Sequence, residues 1–169
     1  MEHVILVNEN DEVLGTMEKM EAHQKGVLHR AISIFIYNSR GEMLIHQRAL
    51  NKYHSGGLWT NTCCSHPRPE ESILDAANRR LQEEMGMSCA LATSHSFIYK
   101  AALDQNLWEH ELDHVLIGIT DDEPQPNPAE VMHYRWIDLP SLQQDLHDHP
   151  ENYTEWFKII CAKGIPGTE

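Results

Sequence analysis

Residues 65–87, SHPRPEESILDAANRRLQEEMGM, combine a helical repeat of apolar residues with dense charge. The apolar positions are Ile73, Leu74, Ala77, Leu81 and Met85, which recur at the spacing of one helix face. Ser72 is a suitable N-cap, and Gly86 is a typical residue for a helix end. The segment therefore predicts a helix over residues 72–85 that buries one face and presents a highly charged face opposite.

The charges on this helix are regularly spaced, because Arg79 and Glu83 are four residues apart, as are Arg80 and Glu84. On an arbitrary helix such pairs are solvated and contribute only about 0.3–0.5 kcal/mol each. Here a longer sequence pattern, which spans residues 65–87, favours a functional role for these charged residues. The segment resembles the Nudix box, with the spacing Ser65-x5-Glu71-x7-Arg79-Arg80-Leu81-x-Glu83-Glu84-x-Gly86-Met87. It departs from the box at Ser65, where the box has glycine, and at Arg80, where it has a glutamate that helps bind Mg²⁺.

The departure at Arg80 changes the expected chemistry. In Nudix hydrolases the helix carboxylates hold divalent cations against a diphosphate, which water then attacks. A guanidinium cannot hold a cation, but it can bind phosphate oxygens in a fork geometry. Glu84 remains as a single carboxylate for one metal ion. We therefore expect diphosphate binding to be retained and hydrolysis to be lost.

The rest of the chain predicts one mixed α/β unit. A length of 169 residues fits a single domain, residues 1–169. Two further helices are expected after Pro140 and after Pro150, the latter burying residues from Tyr153 to Cys161. Strands are predicted at 4–8, 13–17, 31–37, 43–48, 96–101, 114–120 and 131–137. Hairpin signals make the first four strands antiparallel neighbours. The fold class expected is α+β, a Nudix-like α/β/α sandwich with a mixed sheet.

Charge and composition exclude several classes of partner. The 26 acidic and 13 basic residues give a formal net charge of −13, which disfavours broad binding to nucleic acid or an anionic membrane. The apolar runs are far shorter than the roughly 18 residues of a membrane-spanning helix. With no basic, apolar leader at the N-terminus, we expect a cytoplasmic protein, with the four cysteines reduced, acting as a monomer.

The 12 histidines raise the expectation of a metal site. His23 and His29 bracket a polar segment, residues 22–29, that is expected to be a loop; Cys64 and His66 lie two residues apart in an extended segment; and Glu109-His110-Glu111 places two carboxylates on one side of a strand end. Each feature alone is more often ordinary surface or core. Together they supply three imidazoles and two carboxylates, a set that suits Zn²⁺, Mn²⁺ or Mg²⁺. The other histidines, His54 among them, lack motif support and are expected to be ordinary residues.

At this level the chain resembles the type I isopentenyl-diphosphate isomerases, a family of the Nudix superfamily. The resemblance spans most of the chain. It is carried by Glu18-Lys19 with His23 and His29, Arg48-Ala49-Leu50-x-Lys52, Trp59-Thr60-Asn61-Thr62-x-Cys64-x-His66-Pro67, Glu109-x-Glu111 and Trp156. It implies conversion of isopentenyl diphosphate, a small isoprenoid diphosphate, into dimethylallyl diphosphate.

The resemblance also implies the site residues. One Mn²⁺, Zn²⁺ or Mg²⁺ would be held by His23, His29, His66, Glu109 and Glu111, and a Mg²⁺ would bridge Glu84 and the diphosphate. Lys19, Arg48, Lys52 and Arg80 would bind the phosphates. Cys64 and Glu111 would transfer protons on opposite faces of the substrate, with Tyr99 hydrogen-bonded to Glu111, and Trp156 would stabilise a tertiary carbocation-like state. Cys63, on the other strand face, is expected to serve packing alone.

Two alternatives remain. A Nudix pyrophosphohydrolase acting on a small diphosphate would need a further carboxylate at the position of Arg80, and it would have no use for Cys64 and Glu111. A noncatalytic metal-binding or regulatory protein with the same fold would not need Cys64, Tyr99 and Glu111. The products formed from isopentenyl diphosphate distinguish all three.

Overall fold

The computed structural model describes residues 2–168, so Met1 and Glu169 of the predicted domain lie outside the described residues. Across the described range the chain forms nine strands and four α-helices, with a 3₁₀ turn before the last helix. The strands are β1 His3–Val7, β2 Val13–Glu18, β3 His29–Tyr37, β4 Met43–Arg48, β5 Trp59–Thr60, β6 Cys63–Ser65, β7 Leu91–Ala102, β8 Trp108–Ile119 and β9 Val131–Ile137. The helices are α1 Lys19–Lys25, α2 Ile73–Met85, α3 Leu139–Asp148 and α4 Glu155–Lys163.

The strands form one mixed sheet in which β3 is central. β3 runs parallel to β8, in a register from His29 opposite Glu111 to Tyr37 opposite Ile119. β6 pairs antiparallel with β3 and places Cys64 opposite Ser33. The path β2-β1-β3-β4 is antiparallel throughout, which confirms the predicted neighbourhood of the first four strands. β7 extends the sheet beyond β8, and β9 pairs with β4.

Helices cover both faces of the sheet, so the predicted α/β/α sandwich with a mixed sheet is confirmed. On one face, Ile32, Ile34 and Ile36 of β3 pack with Leu81 and Met85 of α2. On the other face, β3 contributes Phe35 and Tyr37, which share a core with Leu142 of α3 and Trp156, Phe157 and Ile160 of α4. Alternate residues of one strand thus belong to separate cores, as the two-residue period of a strand requires. No helix within residues 2–168 combines the length and the hydropathy of a membrane span.

The predicted helix over residues 72–85 is confirmed in both bounds. The Ser72 side chain accepts a hydrogen bond from the Asp75 amide, and Gly86 ends the helix at φ 60°. A Cβ on Gly86 would lie 2.5 Å from the Gln125 carbonyl oxygen, so both the left-handed backbone and the close approach require glycine.

The predicted loop over residues 22–29 is wrong, because Lys19–Lys25 form helix α1. The Glu18 side chain accepts from the Glu21 amide at its start, and Gly26 ends it at φ 67°. Seven residues are too few to show an apolar stripe, so the helix depends on its two caps and on burial of Ala22 and His23.

Strand and helix bounds differ elsewhere. β8 begins at Trp108 rather than His114, so Glu109 and Glu111 lie within the strand instead of at its end. Their burial breaks the apolar pattern by which strands are recognised. The last helix begins at Glu155, capped by Thr154, and Tyr153 precedes it in extended backbone. β7 begins at Leu91 rather than Ser96, and the short strands β5 and β6 lack a pattern of their own.

Candidate active site

Four elements bring a cluster of imidazoles and carboxylates together. His23 lies on α1, His29 opens β3, His66 follows β6, and Glu111 lies on β8. One potential ligand atom from each of these four residues lies within 4.8 Å of the others. Glu109 belongs to a second such group, which it forms with His23 and His54. The five residues predicted as ligands therefore lie together.

Two of the histidines have a fixed tautomer. Nδ1 of His23 donates to the Lys19 carbonyl oxygen, and Nδ1 of His29 donates to the Val27 carbonyl oxygen, each at 2.8 Å. In the neutral ring, Nε2 then carries a lone pair that points toward the carboxylates. A backbone carbonyl on the far nitrogen is the usual partner of a metal-binding histidine.

Several polar atoms at the centre of the cluster are buried without a hydrogen-bond partner. They include Nε2 of His23 and Oε2 of Glu109, which are 3.7 Å apart. Burial and the charge of Glu111 raise the pKa of Glu109 to about 7. Lone pairs and carboxylate oxygens that face each other in a dry site need a cation between them, so the donor set fits a divalent metal ion.

Glu111 is fully engaged by its neighbours. Tyr99 donates to Oε1 at 2.6 Å, while Nε2 of His66 and Nε2 of His29 lie 2.7 Å and 3.1 Å from Oε2. Burial opposes ionisation of this carboxyl, but the His66 and His29 rings, when they carry a proton on Nε2, outweigh burial and hold the pKa of Glu111 well below its usual range. Glu111 is therefore an oriented carboxylate.

His54 lies in the cluster although the sequence predicted an ordinary residue there. Its side chain is buried, and its Nε2 lies 3.9 Å from Oε1 of Glu109. Burial, together with Arg48 and His23 nearby, lowers the pKa of His54 to about 2, so the ring is neutral. The sequence gives little signal for it, since His54 lies in the turn-rich connection between β4 and β5 and lacks a motif partner.

The Cys64 thiol lies near the cluster, on β6. It donates to Oδ1 of Asn61 at 2.9 Å and accepts from Nε1 of Trp156 at 3.0 Å. Burial, reinforced by Asp113, raises the pKa of this thiol far above its ordinary value, so it is protonated at neutral pH. Cys63 points to the other sheet face, where its thiol lies 3.2 Å from Oε2 of Glu84.

Cys64 and Glu111 approach one pocket from two sides. β6 and β8 pair with opposite edges of β3, since both pair with residues 32–34 of that strand. The pocket between them is lined by Cys64, Glu111, Tyr99, Trp156 and His54, among others. A ligand in this pocket would lie near both the thiol and the carboxylate.

A second pocket adjoins the first and is lined by several positively charged side chains. Its lining includes all four predicted phosphate-binding residues, Lys19, Arg48, Lys52 and Arg80. Arg68, Arg79 and Tyr53 also line it, although the sequence analysis had not assigned them there. Nε of Arg48 and Nε of Arg80 are buried without a hydrogen-bond partner. In a chain of net charge −13, these unpartnered guanidinium N–H groups are suited to binding an anion.

Helix α2 holds its charged residues in a network. Arg80 lies 3.0 Å from Oε2 of Glu83 and 3.1 Å from Oε2 of Glu84, and the i,i+4 pair of Arg79 and Glu83 is formed at 3.0 Å. Glu84 is buried and belongs to neither of the metal-ligand groups found among residues 2–168. Within residues 2–168, Glu84 therefore shares no ligand group with the His and Glu cluster, and it is ion-paired with Arg80 instead.

Comparison with known proteins agrees with this geometry. The family model of the NUDIX domain matches residues 27–157. A protein of Deinococcus radiodurans superimposes with a TM-score of 0.81 over 97% of this chain and 99% of its own, at 19% identity. A MutT protein from Methanosarcina mazei has a TM-score of 0.65 over 80% of this chain and 91% of its own, at 17% identity. At such identities these two structures establish the fold alone.

Two relatives in sequence are far closer. The isopentenyl-diphosphate Delta-isomerase of Pectobacterium atrosepticum is 54% identical over 95% of this chain and 89% of its own length. The enzyme of the same name from Burkholderia multivorans is 49% identical over 98% of this chain and 94% of its own. Identity of this extent across nearly the whole of both chains confirms the family predicted from the motifs: the chain belongs to the isopentenyl-diphosphate Delta-isomerases of the Nudix superfamily.

Proposed function

We propose that this isomerase interconverts isopentenyl diphosphate and dimethylallyl diphosphate with Cys64 and Glu111 as the proton donor and the proton acceptor, one group in each role. The observation that carries the proposal is the placement of these two groups on strands that flank β3, with one pocket between them. A pocket lined by lysine and arginine side chains adjoins it. The two adjoining pockets together suit a substrate with a short hydrocarbon tail and a negatively charged head.

The reaction requires one proton to be added and another removed. Protonation of the terminal methylene breaks the double bond and gives a tertiary carbocation-like state, and loss of a proton from the neighbouring carbon forms the new double bond. A thiol and a carboxylate on either side of the pocket supply a donor and an acceptor. One group has then lost a proton and the other has gained one, and exchange with solvent restores both.

Trp156 is suited to the cationic state. Its indole N–H donates to Cys64, so the ring is held beside the thiol and would lie close to a substrate that the thiol contacts. The face of an indole ring attracts a cation by about 2 kcal/mol when water is excluded. Burial of Trp156 to 2% exposure shows that water is excluded around most of its ring.

The diphosphate would be bound by the cationic pocket. Arg48 and Arg80 offer buried N–H groups that lack a partner, which suits bidentate contacts to phosphate oxygens. Lys19 and Lys52 are paired with Glu2 and Glu130, so each lysine would exchange a carboxylate for a phosphate. Glu84 beside Arg80 would be the carboxylate for a Mg²⁺ that accompanies the diphosphate.

A divalent ion would be held by His23, His29, His66, Glu109 and Glu111. Mn²⁺, Zn²⁺ and Mg²⁺ are the candidates that suit a mixed set of imidazoles and carboxylates. When bound, the ion would neutralise the two buried carboxylates and fix the orientation of Glu111. The hydroxyl of Tyr99 already orients the opposite oxygen of Glu111.

The alternative activity, pyrophosphohydrolysis, is not favoured. It needs an additional carboxylate on α2. Arg80 occupies the position of that carboxylate and lines the pocket. We propose that the substrate is a freely diffusing small diphosphate and that the protein acts as a cytoplasmic monomer, without nucleic acid or membrane partners. The net charge of −13 disfavours binding to nucleic acid and to anionic membranes, which supports a small-molecule partner.

The test is incubation of the purified protein with isopentenyl diphosphate and Mg²⁺ plus Mn²⁺ or Zn²⁺, followed by proton NMR and a phosphate assay. The expected result is the methyl signals of dimethylallyl diphosphate with no released phosphate. Phosphate release would indicate the hydrolase. An unchanged substrate would indicate a noncatalytic protein, and either outcome would overturn the proposal.

A further inference from the structure

His54 is held in a defined position beside the metal-binding cluster. Its backbone carbonyl accepts a hydrogen bond from Arg48 at 3.1 Å, and the amide of the next residue, Ser55, donates to Asp104 at 2.9 Å. The imidazole ring is 2% exposed and meets the Trp156 ring edge-on, with 5.5 Å between centroids. Its orientation is therefore set by packing on several sides.

One ring nitrogen of His54 has a hydrogen-bond partner and the other has none. Nδ1 lies 3.0 Å from the Ser55 hydroxyl, whereas Nε2 is buried without a hydrogen-bond partner. Nε2 faces Glu109 at 3.9 Å and lies with His23 and Glu109 in one group of potential ligand atoms. An unpartnered nitrogen in a dry site is costly unless it binds something.

The two ligand groups cannot hold two separate ions through their shared histidine. His23 belongs to both groups, but its Nδ1 donates to the Lys19 carbonyl oxygen, which leaves Nε2 as the one nitrogen with a lone pair. One lone pair binds one ion. Neighbouring ligands on a single ion lie about 3–4 Å apart when each metal–ligand bond is about 2.1 Å. Nε2 of His23 lies 3.7 Å from Oε2 of Glu109, and Nε2 of His54 lies 3.9 Å from Oε1 of the same carboxylate.

We propose that His54 is a further ligand of the same metal ion, as a fourth imidazole beside His23, His29 and His66. This inference rests on the metal site of the proposed function and extends it. With Glu109 and Glu111, the ion would have four nitrogen and two oxygen ligands. Imidazole-rich sites favour Zn²⁺ and the later first-row transition metals over Mg²⁺, which prefers oxygen.

The test counts the imidazoles on the metal directly. Protein labelled with ¹⁵N in histidine is loaded with ¹¹³Cd²⁺, and each Nε2 bound to the metal is split by its one-bond coupling to cadmium. Four split signals are expected in the wild type, with one of them lost in His54→Asn or His54→Gln. His147→Asn is the matched control, because His147 is 79% exposed on α3 and should leave all four signals unchanged.

Chelator competition gives a second readout. We expect His54→Asn to weaken Cd²⁺ binding by at least about tenfold, as loss of a ligand or its supporting partner does, and His147→Asn to leave it unchanged. Three split signals in the wild type would overturn the role of His54 and leave the five-residue site standing. An absence of split signals would overturn the metal site of the proposed function as well. The wild-type count is informative even if the variants fail to fold.

Discussion

Arg80 is the residue that most clearly separates this site from that of a hydrolase. It occupies the position where the box has a metal-binding glutamate, and it pairs with Glu83 and Glu84 while its Nε remains free. A guanidinium there can bind phosphate oxygens, but it cannot replace a carboxylate that holds hydrolytic metal ions. Under the proposed function, this one side chain would account for phosphate binding without phosphate cleavage.

Replacement of Cys64 by alanine is expected to reduce turnover by at least about 10²–10⁴-fold, the range for loss of an acid–base group. The thiol lies outside both metal-ligand groups found in residues 2–168, so metal content measured by elemental analysis should not change. Cys89→Ala is the control, since Cys89 packs against the α2 core away from the pocket. Turnover near the wild-type rate would exclude Cys64 from proton transfer.

At the scale of elements, hydrogen bonds connect the start of α4 to the Cys64 thiol. Thr154 caps α4 by accepting from the Phe157 amide, and its hydroxyl donates to Thr60 at 3.0 Å. Thr60 in turn donates to Asn61 at 2.9 Å, and Asn61 accepts from Cys64. This chain of hydrogen bonds positions both Trp156 and Cys64.

Thr154→Ala is therefore expected to affect stability and catalysis together. Loss of the cap should cost about 1–2 kcal/mol of unfolding free energy in urea titrations, and kcat should fall because Trp156 and Cys64 lose their alignment. Asp138→Ala is the matched control: Asp138 caps α3 through the Ser141 amide, away from the pocket. The Asp138→Ala variant should lose a similar unfolding free energy and keep the wild-type kcat. Equal kcat in the two variants would contradict a positioning role for Thr154.

The loop before α2 is anchored by Glu71, which makes stability depend on pH. Glu71 accepts two hydrogen bonds from Arg79, at 2.8 Å and 2.9 Å, and one from the Arg68 amide. These contacts, that of Arg79 foremost, lower the pKa of Glu71 below its ordinary value of 4.5. A lowered pKa in the folded state stabilises the fold above the ordinary value, and this stabilisation is lost as the pH falls through the lowered pKa.

Glu71→Gln is expected to lower the unfolding free energy by about 1–2 kcal/mol at pH 7. The difference from wild type should shrink as the pH falls below 4.5 and through the lowered pKa of Glu71, because the carboxylate then becomes protonated. Chemical denaturation at a series of pH values measures this. Glu70→Gln, at the exposed neighbouring position, should show no such trend. A deficit independent of pH would show that the carboxylate charge of Glu71 is not the cause.

Elements with an apolar repeat and clear end signals were predictable from the sequence, and elements stabilised mainly by tertiary contacts were not. α2 has an apolar stripe with both end signals, and its N-cap Ser72 and last residue Met85 are those predicted. α1 is a seven-residue helix that carries His23, and the sequence left it as a loop. His54 was missed for a related reason. Its burial depends on Arg48, Trp156 and Asp104, which are 6, 102 and 50 residues away along the chain, so local sequence cannot show it.

At the scale of the whole molecule, the proposed metal ligands come from parts of the chain that are far apart in sequence. His23 is on α1, His29 on β3, His66 after β6, and Glu109 and Glu111 on β8. In the unfolded chain these side chains are dispersed, so an ion bound to all of them stabilises the folded state alone. Metal content and stability should therefore be coupled.

Removal of the metal with a chelator is expected to lower the melting temperature by about 5–10 °C relative to protein with free metal at about 100 times its Kd. Calorimetry with and without metal measures the shift. His66→Ala should bind less metal and show a reduced shift, whereas His95→Ala, an exposed histidine on β7, should match wild type. A His66→Ala protein with full metal content would remove His66 from the ligand set.

The most direct test of the account is a crystal structure of the metal-loaded protein with an unreactive analogue of isopentenyl diphosphate. The account predicts that the diphosphate contacts Arg48 and Arg80. It also predicts that the carbon tail lies between the Cys64 sulfur and a Glu111 carboxylate oxygen, with one group on each face. A tail with both groups on the same face, or remote from either of them, would contradict it.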